Sequence, residues 1–371
     1  MNDKITVRQT ACFCAISMLA LKLVALPSIL YEKSMSSGLL IAGVLFLLDF
    51  LILFVFLKVK QKYPTLSLYE LIKRFLGVVV AKIIYILLFG FFVVKLLTLM
   101  NEAVSFMQAI VDEDYTIVLF LLTFLPVITV LAYNGLKSTA RTCEFGYIFI
   151  IIGLVVCLFL SETSAIFGKL GPVFEVGFSN FIKTSFDVGF WFSDFVFIAV
   201  LSDKIKLEKN TLKKVFKFVV FVALIIMLLY YSYFRLFRVT AFLHKNSIAD
   251  VTQYNREIGN VGNIDIVSIL AYMFVIFFQG SLYTNCLNIV YEKIFGYKNK
   301  SHSLIAINLI VVFLQFFVFF NLERITLFVF NYFKYINILV LFLIPLYYVG
   351  LLIFDKEINY AKYYKKISKK V

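Results

Sequence analysis

Histidine is scarce, with two residues in 371, and tryptophan occurs once. Asp, Glu, Lys and Arg together make up 16% of the chain, against roughly 25% in an ordinary soluble domain. Both histidines, His244 and His302, fall in connecting segments, and the chain has no G-x-S-x-G nucleophile turn, no H-E-x-x-H zinc motif and no phosphate-binding glycine loop. Glu102 and Asp194 are acids without a reaction partner, so no catalytic residue, metal site or cofactor is expected and the chain does not read as an enzyme. Cysteine is sparse too. The five (Cys12, Cys14, Cys143, Cys157 and Cys286) are odd in number and lie mostly in apolar runs, as small core residues do, not as a disulfide framework or a zinc cluster does.

What fills the chain instead is apolar surface: 62% hydrophobic residues, 18% aromatic, and a mean hydropathy of +0.94. A helix needs about 20 residues to cross the hydrocarbon core. Ten runs approach or exceed that length, at 9–30, 36–57, 79–104, 116–134, 142–160, 184–202, 213–235, 264–289, 303–321 and 335–354. They predict a single all-α polytopic membrane domain. The first run follows Lys4 and Arg8 but lacks a small-residue cleavage site, so it reads as a retained first helix.

A net charge of +14 points to nucleic acid only if its placement is ignored. With the N-terminus inside, 24 of the 36 Lys and Arg fall on inner segments, six of them in the tail 356–371. The positive-inside rule therefore puts both termini in the cytoplasm, and no nucleic-acid partner is needed.

Charges within the spans are costly and face bundle interiors or aqueous paths. They are Lys22 in span 1, Asp49 in span 2, Lys95 and Glu102 in span 3, and Asp187 and Asp194 in span 6; Lys82 can snorkel. Lys95, Thr98, Glu102 and Ser105 share one face of span 3, as Ser281, Thr284, Asn285 and Asn288 do on span 8. Spans 1 and 6 each open one half of the chain. Span 1 carries Lys22 five residues before Pro27, and span 6 clusters Gly189, Trp191, Ser193 and Asp194, so both are points of unwinding of the kind that frames a midplane site in inverted-repeat transporters. The first repeat is drawn at about 5–160 and the second at about 180–355.

Between spans, 61–77 reads as a surface helix with Leu66, Leu68, Leu71, Ile72 and Phe75 on its apolar face and Ser67 and Glu70 forming a capping box. Segment 168–184 re-enters or lies at the interface, and the connection 239–263 is long enough to act as a lid. Asp112, Glu113 and Asp114 form an acidic outer loop.

"ITVRQTACF" at the start of span 1, Leu26-Pro27 at its end, "YPTLSLYELIKRFLG" after span 2, "NGLKSTARTCEF" before span 5 and "GPVFEVGFSNFIKTSF" before span 6 resemble, in order and spacing over about residues 4–355, the endospore germination permease family. That family supplies the B subunit of nutrient germinant receptors within the amino acid, polyamine and organocation transporter superfamily. The resemblance implies a 5+5 inverted-repeat, LeuT-like fold with broken helices 1 and 6. Lys22, Leu23, Val24, Thr98, Glu102, Trp191, Asp194 and Tyr283 then surround a small-molecule site. Tyr63, Pro64, Ser67 and Glu70 match the signature after span 2, and Gly135, Arg141 and Glu144 the one before span 5; with Asp49 these are expected to be structural or gating residues. Asp194 stands where relatives often carry Glu. Leu21-Lys22-Leu23-Val24 replaces the small residues expected at the first break, so Lys22 either pairs with Asp194 or meets an anionic ligand group, and its ammonium disfavours Na⁺.

Two functions share this site. One is a ligand-sensing subunit, in a spore inner membrane or a cell membrane, working with a second membrane subunit and a lipoprotein. The other is a secondary amino acid transporter, sodium-independent and proton-coupled through Glu102 or Asp194.

Overall fold

The computed structural model describes residues 4–110, 114–165, 175–208, 210–247, 249–251, 265–297 and 299–354. Asp112 and Glu113, residues 168–174, most of the lid candidate (252–263) and the tail 356–371 lie outside them.

All ten runs become helical. Span 1 is divided into α1 (Val7–Ser17), α2 (Ala20–Leu23) and α3 (Leu26–Ser34). Span 2 is α4 (Gly38–Lys62), followed by the short α5 (Leu68–Leu76); spans 3 to 5 are α6 (Val78–Ile110), α7 (Ile117–Tyr133) and α8 (Leu136–Ala165). Span 6 is α9 (Phe178–Val188), a 3-10 turn (Gly189–Phe192) and α10 (Val196–Val200). Spans 7 to 9 are α11 (Thr211–Phe237), α12 (Asp265–Phe295) and α13 (Lys300–Phe317). Span 10 is α14 (Leu322–Phe328), a π turn (Val329–Phe333) and α15 (Lys334–Phe354). Among the described residues, seven helical stretches are long and apolar enough to cross a membrane by themselves.

Local chemistry accounts for where the elements start and stop. Thr6 and Gln9 close a capping box on α1, and Ser67 and Glu70 close one on α5. On α5, Leu68, Leu71 and Ile72 are buried while Glu70, Lys73 and Arg74 face out; Phe75, expected on the apolar face, is 42% exposed. Pro27 has no N–H to offer the Leu23 carbonyl four residues back, so the ladder fails between α2 and α3. In span 6, Gly189 ends α9, and the Ser193 hydroxyl donates to the Phe190 carbonyl (2.7 Å), a local bond that competes with the helix.

The core is organised around α12, which packs on α6, α7 and α8. Without water, helices associate through close packing of small residues. Gly146 and Gly153 of α8 meet Phe278 and Ala271 of α12 so closely that an added Cβ would stand 2.2 Å from the Phe278 ring or 2.3 Å from the Ala271 methyl.

Two further links tie the broken spans together. At the end carrying the N-terminus, Ile5 forms a parallel bridge with Ile205, its N–H donating to Lys204 (2.9 Å) and its carbonyl accepting from Lys206 (2.9 Å). At the inner end of α9, beside the second break, Asp187 receives Lys33 of α3 (3.1 Å) and Lys334 of α15 (3.0 Å).

Candidate functional site

Breaking a helix frees backbone carbonyls and amides in a place with no water, and each must find a partner. At the first break, Gln279 of α12 accepts from the Ala20 N–H (3.1 Å) and donates to the Ser17 carbonyl (3.0 Å). Its amide also reaches the Tyr283 hydroxyl (2.6 Å). The Tyr230 hydroxyl donates to the Lys22 carbonyl (2.7 Å). The Leu23 carbonyl, left free by Pro27, and the Val24 carbonyl both accept from the Ser247 hydroxyl (3.0 and 2.8 Å). Ser247 lies in the part of the lid candidate that is described, so that segment docks directly on the break.

The second break exposes the C-terminal, electronegative end of α9 and its 3-10 turn, where cations are favoured. Lys95 of α6 donates to the Phe190 carbonyl (2.6 Å) and Lys22 to the Trp191 carbonyl (2.7 Å). Lys22 also forms an ion pair with Asp194, both side chains fully buried. Its ammonium lies 4.8 Å from the Phe192 ring centroid and 5.6 Å from that of Phe46, a desolvated cation–π arrangement. Glu102 accepts from the Trp191 indole (3.0 Å), and Asp49 of α4 faces Asp194 carboxyl to carboxyl.

Lys22, Leu23, Val24, Glu102, Trp191, Asp194 and Asp49 therefore converge where the two breaks cross. Tyr283 touches this centre through Gln279. Thr98 is buried nearby, but its hydroxyl bonds the Val94 carbonyl of its own helix (2.8 Å). The polar stripe of α12 behaves likewise: Ser281, Thr284 and Asn285 are buried and bond carbonyls one turn back. The residues matching the loop signatures lie elsewhere. Tyr63 is buried at the end of α4, the Pro64 carbonyl accepts from Lys60 (2.5 Å), and Glu70 serves its capping box. Glu144 pairs with Arg8 of α1 (2.8 Å), while Arg141 is exposed.

The centre is packed, not hollow. Every converging residue is at most 2% exposed, and two voids touching Leu23 measure about 20 and 10 Å³, room for a water molecule at most. The groups a broken-helix site would offer a ligand are held by the protein's own side chains.

Sequence reasoning missed Gln279, Tyr230 and Ser247. Gln279 carried a signal, an amide following the apolar run "FVIFF" one helical turn before Tyr283; Tyr230 was one of 22 tyrosines and had none.

Above this centre, Asn246 accepts from Ser105 of α6 (2.8 Å), and its N–H donates to Asp250 (3.2 Å). Burial raises the Asp250 carboxyl to about 6, and the Asn246 N–H pulls the other way. His244 stands 3.7 Å from Asp250, its pKa lowered by partial burial.

No curated protein matches this sequence. Among solved structures, a mutant of the Eremococcus coleocola manganese transporter superposes with a TM-score of 0.53 at 12% identity, over 92% of this chain and 79% of that one. A second mutant of the same transporter gives 0.50 at 10% identity, over 97% and 90%. At such identities the likeness is one of fold: a helical, inverted-repeat transporter architecture with broken helices 1 and 6. The family model described as "Spore germination protein" matches residues 4–325. The integral membrane protein built around these two crossed breaks belongs to the spore germination protein family.

Proposed function

We propose that the chain is the ligand-sensing membrane subunit of a spore nutrient germinant receptor, with a zwitterionic amino acid or similar small molecule as its ligand. The observation that carries this reading is the buried Lys22–Asp194 pair, which joins the two broken spans and also holds the Trp191 carbonyl. A zwitterion carries the same two charges in reverse. Its carboxylate replaces Asp194 on Lys22, and its ammonium replaces Lys22 on Asp194 and the Trp191 carbonyl. Ligand binding then exchanges one set of charge-assisted bonds for another and releases the two spans from each other, giving a ligand a differential affinity for an opened state.

On this reading Leu23, Val24, Thr98, Glu102, Trp191 and Tyr283 complete the ligand site, and Asp49, Tyr63, Pro64, Glu70, Arg141 and Glu144 act structurally or in gating. The repeats run over about 5–160 and 180–355. The termini are cytoplasmic and the membrane is the spore inner membrane; a second membrane subunit and a lipoprotein complete the receptor.

A secondary transporter is the second reading, favoured by the transporter fold. The manganese of the structural neighbour is not carried over: Lys22 and Lys95 bring two ammoniums into the centre and occupy the Trp191 and Phe190 carbonyls, an environment hostile to a divalent cation. The same ammoniums predict that ligand response does not depend on sodium, checked by binding in choline against sodium buffer; a steep Na⁺ requirement refutes it.

The deciding experiment follows a labelled amino acid panel with purified protein in sealed proteoliposomes, with and without a proton gradient. Saturable retention near one ligand per protein supports the sensor. Accumulation far above that, driven by the gradient, makes the protein a transporter.

A further inference from the structure

Outside the packed centre, a cleft of about 490 Å³ lies between α4, α9 and α15, within the size range of small-molecule sites. Its rim is apolar and exposed: Leu48 and Leu51 on α4, Ile182 and Phe186 on α9. It opens onto the apolar perimeter of the bundle, so what reaches it partitions into the bilayer.

The floor is different. Asp49 and Asn337 line it, each 1% exposed, and among the described residues Oδ2 of Asp49 and both Oδ1 and Nδ2 of Asn337 have no hydrogen-bond partner. Native interiors rarely leave such atoms bare. The three atoms call for two donors and one acceptor, which an acyl chain cannot supply. Behind this floor stands the buried Lys22–Asp194 pair, which Asp49 faces.

We propose that this cleft is a second ligand site, distinct from the Lys22–Asp194 centre, for a small apolar amino alcohol: its ammonium donates to Asp49 and Asn337, its hydroxyl accepts from Asn337, and its hydrocarbon lies between α4, α9 and α15. Because Asp49 also faces Asp194, an ammonium seated there stands next to the Lys22 pair. Occupancy of the cleft is thereby coupled to the centre.

The test uses labelled L-leucinol with the full chain in nanodiscs, measured by equilibrium dialysis at neutral pH. The expected result is saturable binding of one per protein, at least tenfold weaker in Asp49→Asn and in Leu48→Trp, which fills the exposed rim without touching the core. 4-Methylpentan-1-ol, which lacks the ammonium, is expected to compete at least tenfold more weakly than unlabelled leucinol. Absence of saturable binding, retention of full affinity in Leu48→Trp, or equal competition by 4-methylpentan-1-ol overturns the proposal. Were Asp49→Asn to fail to fold, Leu48→Trp and the alcohol decide it alone.

Discussion

Replacing Lys22 by Met keeps the length of the side chain and removes its charge. Asp194 then remains fully buried without its ion-pair partner, Lys95 being held on the Phe190 carbonyl, and the Trp191 carbonyl loses its donor. Removing one member of a buried pair costs about 3–5 kcal/mol, because the partner charge is left uncompensated. At about 1.4 kcal/mol per decade, that is two to nearly four decades in the folding equilibrium. The Lys22→Met, Asp194→Asn double variant removes both charges and is expected to recover most of the loss, since a buried pair is worth little net beside neutral replacements. The assay is reversible unfolding in mixed micelles by titration with SDS, over the four corners of the double-mutant cycle. If Lys22→Met changed stability by no more than the roughly 0.5 kcal/mol typical of an exposed substitution, the pair would not hold the two breaks together and the reasoning would fail.

Three further outcomes follow from the same geometry. Gln279→Leu strips partners from the Ser17 carbonyl and the Ala20 N–H at once, about 1–3 kcal/mol each; hydrogen exchange at Ala20 should quicken while exchange at α13 does not, and unchanged protection would refute the role. Gly153→Ala forces a methyl against Ala271 at 2.3 Å and is expected to cost about 1–3 kcal/mol by overpacking, read as a lower thermal midpoint in detergent; an unchanged midpoint would mean that α8 and α12 do not approach so closely. Asp250, raised to about 6 by burial, stabilises the docked 244–251 segment fully below the ordinary carboxyl range, and that contribution is lost as pH rises through about 6. The lowered His244 acts oppositely, losing its contribution as pH falls toward its own range. Amide exchange at Ser247, corrected for intrinsic rate, should therefore accelerate from pH 5.5 to 7.5 in the native chain, where the larger Asp250 shift dominates, and should not accelerate in Asp250→Asn, where only the opposite His244 contribution is left.

The spans were legible because apolar length is a strong, additive signal: ten runs were expected and ten became helical. The breaks were legible for a different reason, since Pro27 and Gly189 act on their own backbone within a few residues. Even so, the first break is two breaks flanking α2, because Met18–Leu19 unwinds without proline or glycine and is held by Gln279, 259 residues away. Contacts of that range leave no mark on local pattern. The charged centre was legible as a composition, since Lys22, Asp49, Glu102 and Asp194 are conspicuous in apolar runs. That the centre would be packed shut depended on ring placement and on Ser247, which only the folded chain discloses.

The parallel bridge at Ile5 and Ile205 gives the molecule a mechanical property. It staples the start of span 1 to the end of span 6, while Asp187 clips α3 to the inner end of α9, beside the second break. Two rods fastened at one tip, beside a break and by an ion pair in the middle are not free to slide past one another. Loss of the central pair alone leaves the other two fastenings in place, and the one at Asp187 also holds span 10 through Lys334.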